Sequence, residues 1–469
     1  MQNSQLFLIL KTFSKKEFGE LRKWLLSPAH NQREDVVLLF DYLSTNGHLD
    51  SDKHLKKEKI YSKIFPKEFF DDAKLRQTMH FTLRAVEEFL VYQTLQEDVL
   101  QTQIILASIY RKRKVDKAFQ KSVRLVEELQ EKLPNRNQQY LRSAYLLQQE
   151  KYLFLDSKAR TIKMNLQEAS DALEASYIAD KLRQSCLMLA HQAVYKATYN
   201  MGLLEEVLHY IENNQLTDVP AVGIYYYIYK ALTEETNPAH FEKLDNQIRV
   251  ASHLFPQEEM YGIYLHAINY CIRKLNSGEE IYFRKAFELY RKGIEEKILI
   301  SNDTIDPYLF RNVTAAGLKL KEFEWVDFFL HNYKDYLIEQ HRDNFFRFNL
   351  ARLRFEQNDY DAAMTLLAQT DFDDVLIQLN AKTMLLKIYY EQEEIEALES
   401  LLESMRTYLN RKELVGNYRP NYQNIIRYTK KLVRLNPYDK TRKEKLRQEI
   451  ATAKLLSERE WLLKQLEGR

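Results

Sequence analysis

The segment Asn358-Asp359-Tyr360-Asp361-Ala362-Ala363 has a counterpart on each side of it in the chain. The counterparts read Lys321-Glu322-Phe323-Glu324-Trp325-Val326 and Glu393-Glu394-Ile395-Glu396-Ala397-Leu398. The positions that match are 37 and 35 residues apart, at Phe323, Tyr360 and Ile395. Each segment predicts that a first helix ends at a short polar turn and that a second helix follows. Such a period indicates stacked helical hairpins, each of which buries its apolar face only against its neighbours.

The composition favours a chain that is helical throughout. Only 10 glycines and 9 prolines occur among 469 residues, whereas a β-sandwich or barrel needs turn signals every ~8–12 positions. Neither residue occurs from 318 to 415. Helical spacing of apolar residues is found at Leu75, Met79, Leu83, Val86 and Leu90. We predict an all-α fold, in which the tyrosine-rich run 224–229 is one buried helical segment.

Capping residues predict where several helices begin. A side chain that accepts a hydrogen bond from a first-turn amide satisfies a donor that has no partner within the helix. A proline at the first helical position costs no hydrogen bond there. Four such starts are predicted, at Ser14 with Glu17, Asn31 with Glu34, Asn237 with Pro238, and Asp306 with Pro307.

The repeats resemble those of the tetratricopeptide repeat (TPR) superfamily. The likeness is strongest at 349–363, which is similar to the end of a first helix, the turn and the start of a second helix. Ala351 and Ala363 match the family's small residues, where the two helices approach closely. The repeats are degenerate, because the proline that usually closes each unit is replaced by Ile338, Val375 and Asn410. The resemblance implies an α-solenoid of stacked helical hairpins.

Four regions are predicted along the chain. They are an N-terminal helical region at 1–96, divergent helical-hairpin repeats at 97–300, TPR-like repeats at 301–435 and a C-terminal capping helix at 436–469. The first region does not fit the repeat pattern and resembles bacterial helical proteins that have no assigned activity. An amphipathic terminal helix is what an open-ended stack requires to cover its last apolar face.

The net charge indicates no particular ligand, whereas the cysteine content indicates a cellular compartment. The 69 basic and 67 acidic residues nearly balance, so no global electrostatic partner is indicated. Cys186 and Cys271 form neither a disulfide framework nor a zinc motif, which favours a reducing compartment. The start of the chain lacks a secretory signal pattern, and no apolar run reaches the length of a membrane span. We expect a cytoplasmic protein without a membrane partner.

Local motifs of catalysis are absent from the sequence. It contains no glycine-rich phosphate-binding loop, no HExxH zinc motif and no Gly-x-Ser-x-Gly elbow. Cys186 and His191 lie five positions apart on one predicted helix, a spacing that favours ordinary packing over a nucleophile–base pair. We predict no catalytic activity, no metal and no cofactor, and the alternative is an enzyme whose site is assembled from distant helices.

In the TPR resemblance, side chains of the first helices line the concave face. The matching residues, called the groove set here, are Tyr308, Arg311, Lys319, Phe345, Phe348, Arg352, Phe355, Lys387 and Tyr390. Aromatic residues and arginine are enriched in binding hot spots. We therefore predict a protein–protein interaction scaffold that binds a peptide or helix, with acidic partners favoured. The alternative for the aromatic members is that they pack between helices.

Some TPR proteins hold a terminal carboxylate with a clamp of Lys, Arg and Asn side chains. Here Asn349 matches one Asn position, and Arg311 stands where a Lys would be. No complete clamp is predicted, because the other positions hold Ala315, Asn380 and Met384.

Residues 405–448, called the basic block here, contain 13 Lys/Arg and 3 Asp/Glu, with tyrosines interleaved. Basic groups neutralise phosphates and tyrosines stack on bases, so nucleic-acid binding is an alternative function. Its candidate residues are Arg427, Lys430, Lys431 and Arg434. Against it, six glutamates lie just upstream between 391 and 403, and internal pairing of the two segments is favoured. An acidic protein partner is the third interpretation.

Overall fold

The fold was analysed in a computed structural model, which describes residues 3–45, 47–158, 163–195, 197–368, 374–411, 418–436 and 438–468. In these ranges the regular structure is helical, and the β contact is limited to an isolated bridge between Ser301 and Thr304. The predicted all-α class is therefore confirmed. None of the described helices combines the length and hydropathy needed to cross a bilayer.

The chain divides into two compact units, Met1–Lys181 and Leu182–Arg469. The four regions predicted from the sequence are a finer division, and their boundaries stay predictions. The helices α1 to α8 of the first unit are Gln5–Leu10, Lys15–Leu26, Glu34–Ser44, Lys57–Ile64, Asp72–Glu97, Val99–Lys112, Asp116–Lys132 and Gln138–Asp156. The boundary between the units falls within α9, Leu166–Tyr195.

The first unit is built around two groups of buried apolar side chains. The larger group comes from α1 to α5 and includes the fully buried Phe40 and Tyr61. The smaller group comes from α6 to α8 and includes Phe119, whose ring stacks on that of Phe154 at 4.1 Å between centroids.

The second unit continues with α10 to α23. Their bounds are Leu204–Asn214, Pro220–Thr233, Pro238–Ala251, Gln257–Asn276, Tyr282–Glu295, Pro307–Lys319, Phe323–Tyr333, Glu339–Glu356, Tyr360–Ala368, Val375–Glu391, Ile395–Arg411, Tyr418–Val433, Lys440–Thr452 and Arg459–Glu467. Short 3₁₀ turns are found at Leu216–Asp218, Ser252–Leu254 and Lys334–Tyr336. The run 224–229 lies inside α11 with all three consecutive tyrosines buried, as predicted.

Successive helices of the second unit pack as pairs. The pairs are α11 with α12, α13 with α14, α15 with α16, α17 with α18, and α19 with α20. The first helices of the last three pairs also contact each other in sequence, α15 with α17 and α17 with α19. The second helices of these pairs begin at the residues expected from the repeat, Phe323, Tyr360 and Ile395. The hairpins predicted for this part of the chain are therefore present.

The three hairpin turns share one geometry. Lys321, Asn358 and Glu393 adopt left-handed backbone angles, with φ of 59°, 63° and 59°. In the first turn the amide of Lys321 donates to the carbonyl of Leu318, and the next amide donates to the carbonyl of Gly317. This is the Schellman pattern that closes a helix, and glycine is the residue that it normally favours.

The turn geometry predicts that glycine stabilises two of these positions. We expect Lys321→Gly and Glu393→Gly each to raise the free energy of unfolding by about 0.5–1 kcal/mol, because glycine adopts a positive φ without a Cβ clash. Urea denaturation followed by circular dichroism measures the change. As a control, Glu399→Gly, an exposed position in the interior of α20, should lower the free energy of unfolding by about 1 kcal/mol. A loss of stability in both turn variants would contradict the described turns.

Three of the four predicted helix starts have the expected cap. Ser14 and Glu17 form the reciprocal capping box of α2. Asn237 accepts from the amide of Ala239, and Asp306 accepts from the amides of Tyr308 and Leu309. The Asn31 prediction is wrong, because α3 begins at Glu34 after Arg33. The side-chain oxygen of Asn31 instead accepts from the amide of Arg33, and its NH₂ group donates to the carbonyls of Leu25 and Arg33.

Three small residues of the hairpins, Gly317, Ala351 and Ala363, are buried. Ala351 and Ala363 are both fully buried. In the preceding hairpin, a Cβ added to Gly317 would overlap Val326 and lie 3.1 Å from the Phe287 ring. At Gly317 a larger side chain would therefore require its neighbours to shift.

A buried histidine gives the second unit a predicted pH dependence. His266 in α13 is 9% exposed, and burial, with a smaller effect of Arg273, lowers its pKa to about 4. Between pH 6.5 and 4 the unfolded chain binds a proton at this imidazole that the folded chain does not bind. The free energy of unfolding therefore decreases as the pH is lowered through this range. We expect a loss of up to about 3 kcal/mol over this range that is absent in His266→Gln. Equal pH slopes for the two proteins would contradict this expectation.

Candidate functional site

A cavity of about 730 Å³, called the arginine cavity here, lies among α15, α17, α19 and α21 in the second unit. It is lined by Tyr308, Arg311, Asn312, Ala315, Phe348, Arg352, Phe355, Glu356, Leu376, Asn380, Thr383, Met384, Lys387, Tyr418, Asn421, Tyr422, Ser457 and Glu458. Within each helix the lining residues recur every three or four positions, in places with an adjacent residue, so they share one face. The first helices of three successive hairpins thus turn the same face to one cavity.

Two guanidinium groups face this cavity without a carboxylate partner. Arg311 lies over the ring of Tyr308 at 5.4 Å, and Arg352 lies over the ring of Phe348 at 5.9 Å. In the described part of the chain, neither arginine has a carboxylate oxygen within 4 Å. Burial, together with the nearby Arg311, lowers the pKa of Arg352 to about 10, so the Arg352 guanidinium stays charged at neutral pH. The lining as a whole has three cations and two carboxylates, Glu356 and Glu458, so a surplus of one positive charge remains beside the aromatic walls.

The third cation of the cavity is neutralised from within the chain. Lys387 forms an ion pair with Glu458, and the side chains of both residues are largely buried. The lysine ammonium also lies 5.7 Å from the centre of the Phe355 ring and 5.8 Å from that of Trp461. The Glu458 carboxylate already pairs with the Lys387 ammonium. The cavity therefore accommodates a carboxylate group at this position.

The C-terminal segment forms one wall of the cavity and is held there by hydrogen bonds. The amide of Ser457 donates to the side-chain oxygen of Asn421 at 2.7 Å, and Trp461 Nε1 donates to Glu391 at 2.7 Å. On the opposite side, Tyr422 donates to Asn380 Oδ1 at 2.9 Å and links α21 to α19. These contacts fix the wall that carries Glu458.

Six members of the groove set line the arginine cavity, and three do not. The six are Tyr308, Arg311, Phe348, Arg352, Phe355 and Lys387. Phe345 is 5% exposed and lines, with Tyr308, a smaller pocket of about 290 Å³. Lys319 lies 5.6 Å from the Phe283 ring and 4.0 Å from Glu460, away from this cavity. Tyr390 is 6% exposed and packs against Trp461.

Asn349, the candidate clamp residue, is fully buried and donates to the carbonyl of Phe345 within its own helix. Asn349 therefore packs inside the protein and does not line the arginine cavity. The cavity residues that the sequence did not reveal come from α21 and the C-terminal segment, namely Tyr418, Asn421, Tyr422, Ser457 and Glu458. The one available signal was the four-residue spacing of Tyr418 and Tyr422, which places both tyrosines on one helical face.

Part of the basic block is paired within the chain. Lys430 forms an ion pair with Glu403 of the upstream acidic segment, and Lys431 pairs with Glu449. Arg427 lies over the ring of Tyr428 at 5.5 Å, whereas Arg434 is exposed. Lys412 and Glu413 of the block lie outside the described residues. The predicted pairing between the acidic segment and the basic block thus includes the contact of Glu403 with Lys430.

Cys186 and His191 contact other groups rather than each other. The Cys186 thiol is buried, donates to the carbonyl of Tyr225 at 3.4 Å and has its pKa raised by burial. His191 instead contacts the Tyr199 hydroxyl at 2.8 Å. Burial also raises the pKa of Cys271 to about 12. Within the same ranges, no group of three or more His, Cys, Asp or Glu side chains could hold a metal ion.

Comparison of the chain with protein-family models, with curated proteins and with solved structures finds no match. A function for this protein must therefore be inferred from its own side chains. The arginine cavity collects six of the nine residues of the groove set.

Proposed function

We propose that this protein is a non-catalytic interaction scaffold, a TPR-like α-solenoid that binds an acidic peptide segment in the arginine cavity. The observation that carries the proposal is the pair of charged guanidinium groups, Arg311 and Arg352, which face the cavity beside aromatic rings. A carboxylate placed between such groups gains charge-assisted hydrogen bonds.

The size and lining of the cavity favour a peptide over a small ion. Ligand sites of about 300–1,000 Å³ hold ligands of many atoms, and this cavity is within that range. Phe348, Phe355 and Tyr422 offer apolar and aromatic surface, which supplies affinity when it is desolvated. The arginines then supply selectivity for acidic sequences, since a basic segment would meet like charge.

We place this activity in the cytoplasm. Cys186 and Cys271 are unpaired buried thiols, as expected for a protein of a reducing compartment. A scaffold in that compartment meets many acidic segments, so the apolar contacts must contribute to partner choice.

An array of decapeptides tests the proposal directly. The peptides vary independently in the number of Asp and Glu residues and in the presence of one Leu or Phe. We expect binding to require both features and to weaken as salt rises from 50 to 500 mM, because part of the attraction is screened. Equal binding of neutral and acidic peptides would contradict the proposal.

The internal ion pair yields a further prediction. We expect Glu458→Gln to tighten binding of an acidic peptide by about 3–10-fold, because it frees the Lys387 ammonium to meet the ligand. Titration of a fluorescent acidic decapeptide measures the effect. Glu460→Gln is the matched control, since the Glu460 side chain is 91% exposed, and it should leave the affinity unchanged. Weaker binding by the Glu458 variant would show that this carboxylate does not compete with the ligand.

A further inference from the structure

A second cavity in the same unit has a different chemistry. It has a volume of about 340 Å³ and is called the basic cleft here. It lies between α21 with its following turn and α22, and its lining is Lys430, Lys431, Arg434, Leu435, Arg442, Lys445, Leu446 and Glu449. Five cations and one carboxylate therefore converge on an apolar floor of two leucines.

The carboxylates near this cleft do not neutralise it. Lys430 and Lys431 each pair with one glutamate, and Arg442 pairs with Asp439 at 3.3 Å. Arg434 and Lys445 are exposed, and in the described residues neither has a carboxylate within 4 Å. A positive surplus therefore remains on the face that the two helices share.

The local field is consistent with this surplus. The hydrogen bond from Lys431 lowers the pKa of Glu449, and the charges of Arg427 and Lys445 lower it further. The one carboxylate of the cleft is thus held ionised by more cations than it can neutralise. An incoming anion would meet the remaining positive potential.

An exposed aromatic ring lies next to the cleft in the chain. Tyr438 is 92% exposed and precedes Arg442 by four residues. Its amide donates to Asn436 Oδ1 at 3.1 Å. Exposed aromatic rings combined with basic residues are what single-stranded nucleic-acid sites use, because bases stack on the rings and phosphates pair with the cations.

Two other phosphate-bearing partners fit these observations less well. A membrane surface would favour an apolar face on α22, but its large apolar residues, Leu446 and Ile450, are buried. A single phosphoryl group needs two or three donors, whereas five cations lie along the cleft. A chain of phosphates can contact cations that are spread along the cleft, such as Arg434 and Lys445.

We propose that the basic cleft binds single-stranded nucleic acid, with Arg434, Arg442 and Lys445 on consecutive phosphates and Tyr438 stacked on a base. This site is separate from the arginine cavity and uses none of its residues. Binding is expected to depend on backbone charge and base stacking, with little sequence preference.

The test measures the affinity of the full chain for fluorescein-labelled U₂₀ and dT₂₀ between 50 and 200 mM salt. Each neutralised phosphate of a single strand contributes a slope of about −0.7 in log affinity against log salt. We expect Arg434→Ala combined with Arg442→Ala and Lys445→Ala to flatten the slope by about 2 and to weaken binding on the order of 100-fold at 50 mM salt. The matched control replaces three exposed lysines of the first unit, Lys53, Lys63 and Lys67, and should retain wild-type affinity.

Tyr438→Ala provides an independent second readout. Loss of one stacked base should weaken binding about tenfold without changing the salt slope. Tyr92→Ala, an exposed tyrosine of the first unit, is its control. Circular dichroism of each variant confirms that it is folded. The Arg352→Ala variant, altered in the arginine cavity, should bind U₂₀ normally, so failure of this proposal and failure of the peptide proposal are distinguishable.

Several outcomes would overturn the proposal. They are absence of U₂₀ and dT₂₀ binding at 50 mM salt, an unchanged slope in the triple variant, and an equal loss in the lysine control. Tighter binding to vesicles with 30% phosphatidylserine, or to a phosphoserine decapeptide, would assign the cleft to that class instead.

Discussion

Replacing Phe329 by alanine is expected to lower the free energy of unfolding by about 3–5 kcal/mol. Phe329 in α16 is fully buried, and its ring lies 4.7 Å from that of Phe310 in α15. It also stacks on Trp325 at 5.4 Å and on Tyr333 at 5.5 Å. Truncation removes the apolar burial of the whole ring and leaves a cavity that the surrounding aromatic residues cannot fill.

The neighbouring residue is a matched control for this substitution. Phe328 is 52% exposed on the other face of the same helix, so Phe328→Ala should change the free energy of unfolding by less than about 0.5 kcal/mol. Urea denaturation of the full chain, followed by circular dichroism, measures both variants. Similar losses for the two variants would contradict the packing of α15 on α16. They would also contradict the hairpin whose first helix, α15, lines the arginine cavity.

Arg352→Ala is expected to weaken the binding of an acidic decapeptide by about 30-fold, which corresponds to about 2 kcal/mol. The guanidinium is partly buried in the cavity wall, so a bound carboxylate loses a charge-assisted hydrogen bond in a poorly solvated place. We expect the Arg352→Ala variant to lose peptide affinity without a loss in its free energy of unfolding. Burial and the charge of Arg311 disfavour the Arg352 guanidinium in the unliganded protein, whereas Glu356 and Glu458 favour it, so its removal should change the free energy of unfolding little.

The control for Arg352 lies two residues along the same helix. Arg354 is already paired with Asp327 at 2.9 Å and does not line the cavity, so Arg354→Ala should retain peptide affinity. Isothermal titration with one peptide measures the affinity, and thermal denaturation measures the stability. If Arg352→Ala bound the peptide as the wild type does, the arginine cavity would not be the peptide site.

The hairpins could be predicted from the sequence because their signals are local. The residues that open the second helices, Phe323, Tyr360 and Ile395, follow turns whose residues are adjacent in the chain. The caps at Asp306 and Asn237 were equally visible, since a capping side chain and the amide that it binds are two or three residues apart. Local hydrogen bonds and helical periodicity therefore determine this part of the fold.

The site was only partly predictable, because its shape depends on packing between distant segments. Tyr422 and Glu458 reach the cavity from α21 and from beyond α22, and no repeat pattern places them there. The groove set also included Phe345 and Tyr390, which lie on helical faces that turn into the core. In degenerate repeats a small rotation of a helix moves a residue from the groove to the interior, and composition gives no measure of that rotation.

Photo-crosslinking tests the central claim, that acidic segments bind in the arginine cavity of the second unit. An acidic decapeptide that carries a benzoyl-phenylalanine is bound to the full chain, irradiated and mapped by mass spectrometry. The claim predicts crosslinks to the lining residues of α15, α17 and α19, with excess unlabelled peptide suppressing them. Crosslinks confined to the second helices α16 and α18, or to the first unit, would contradict it.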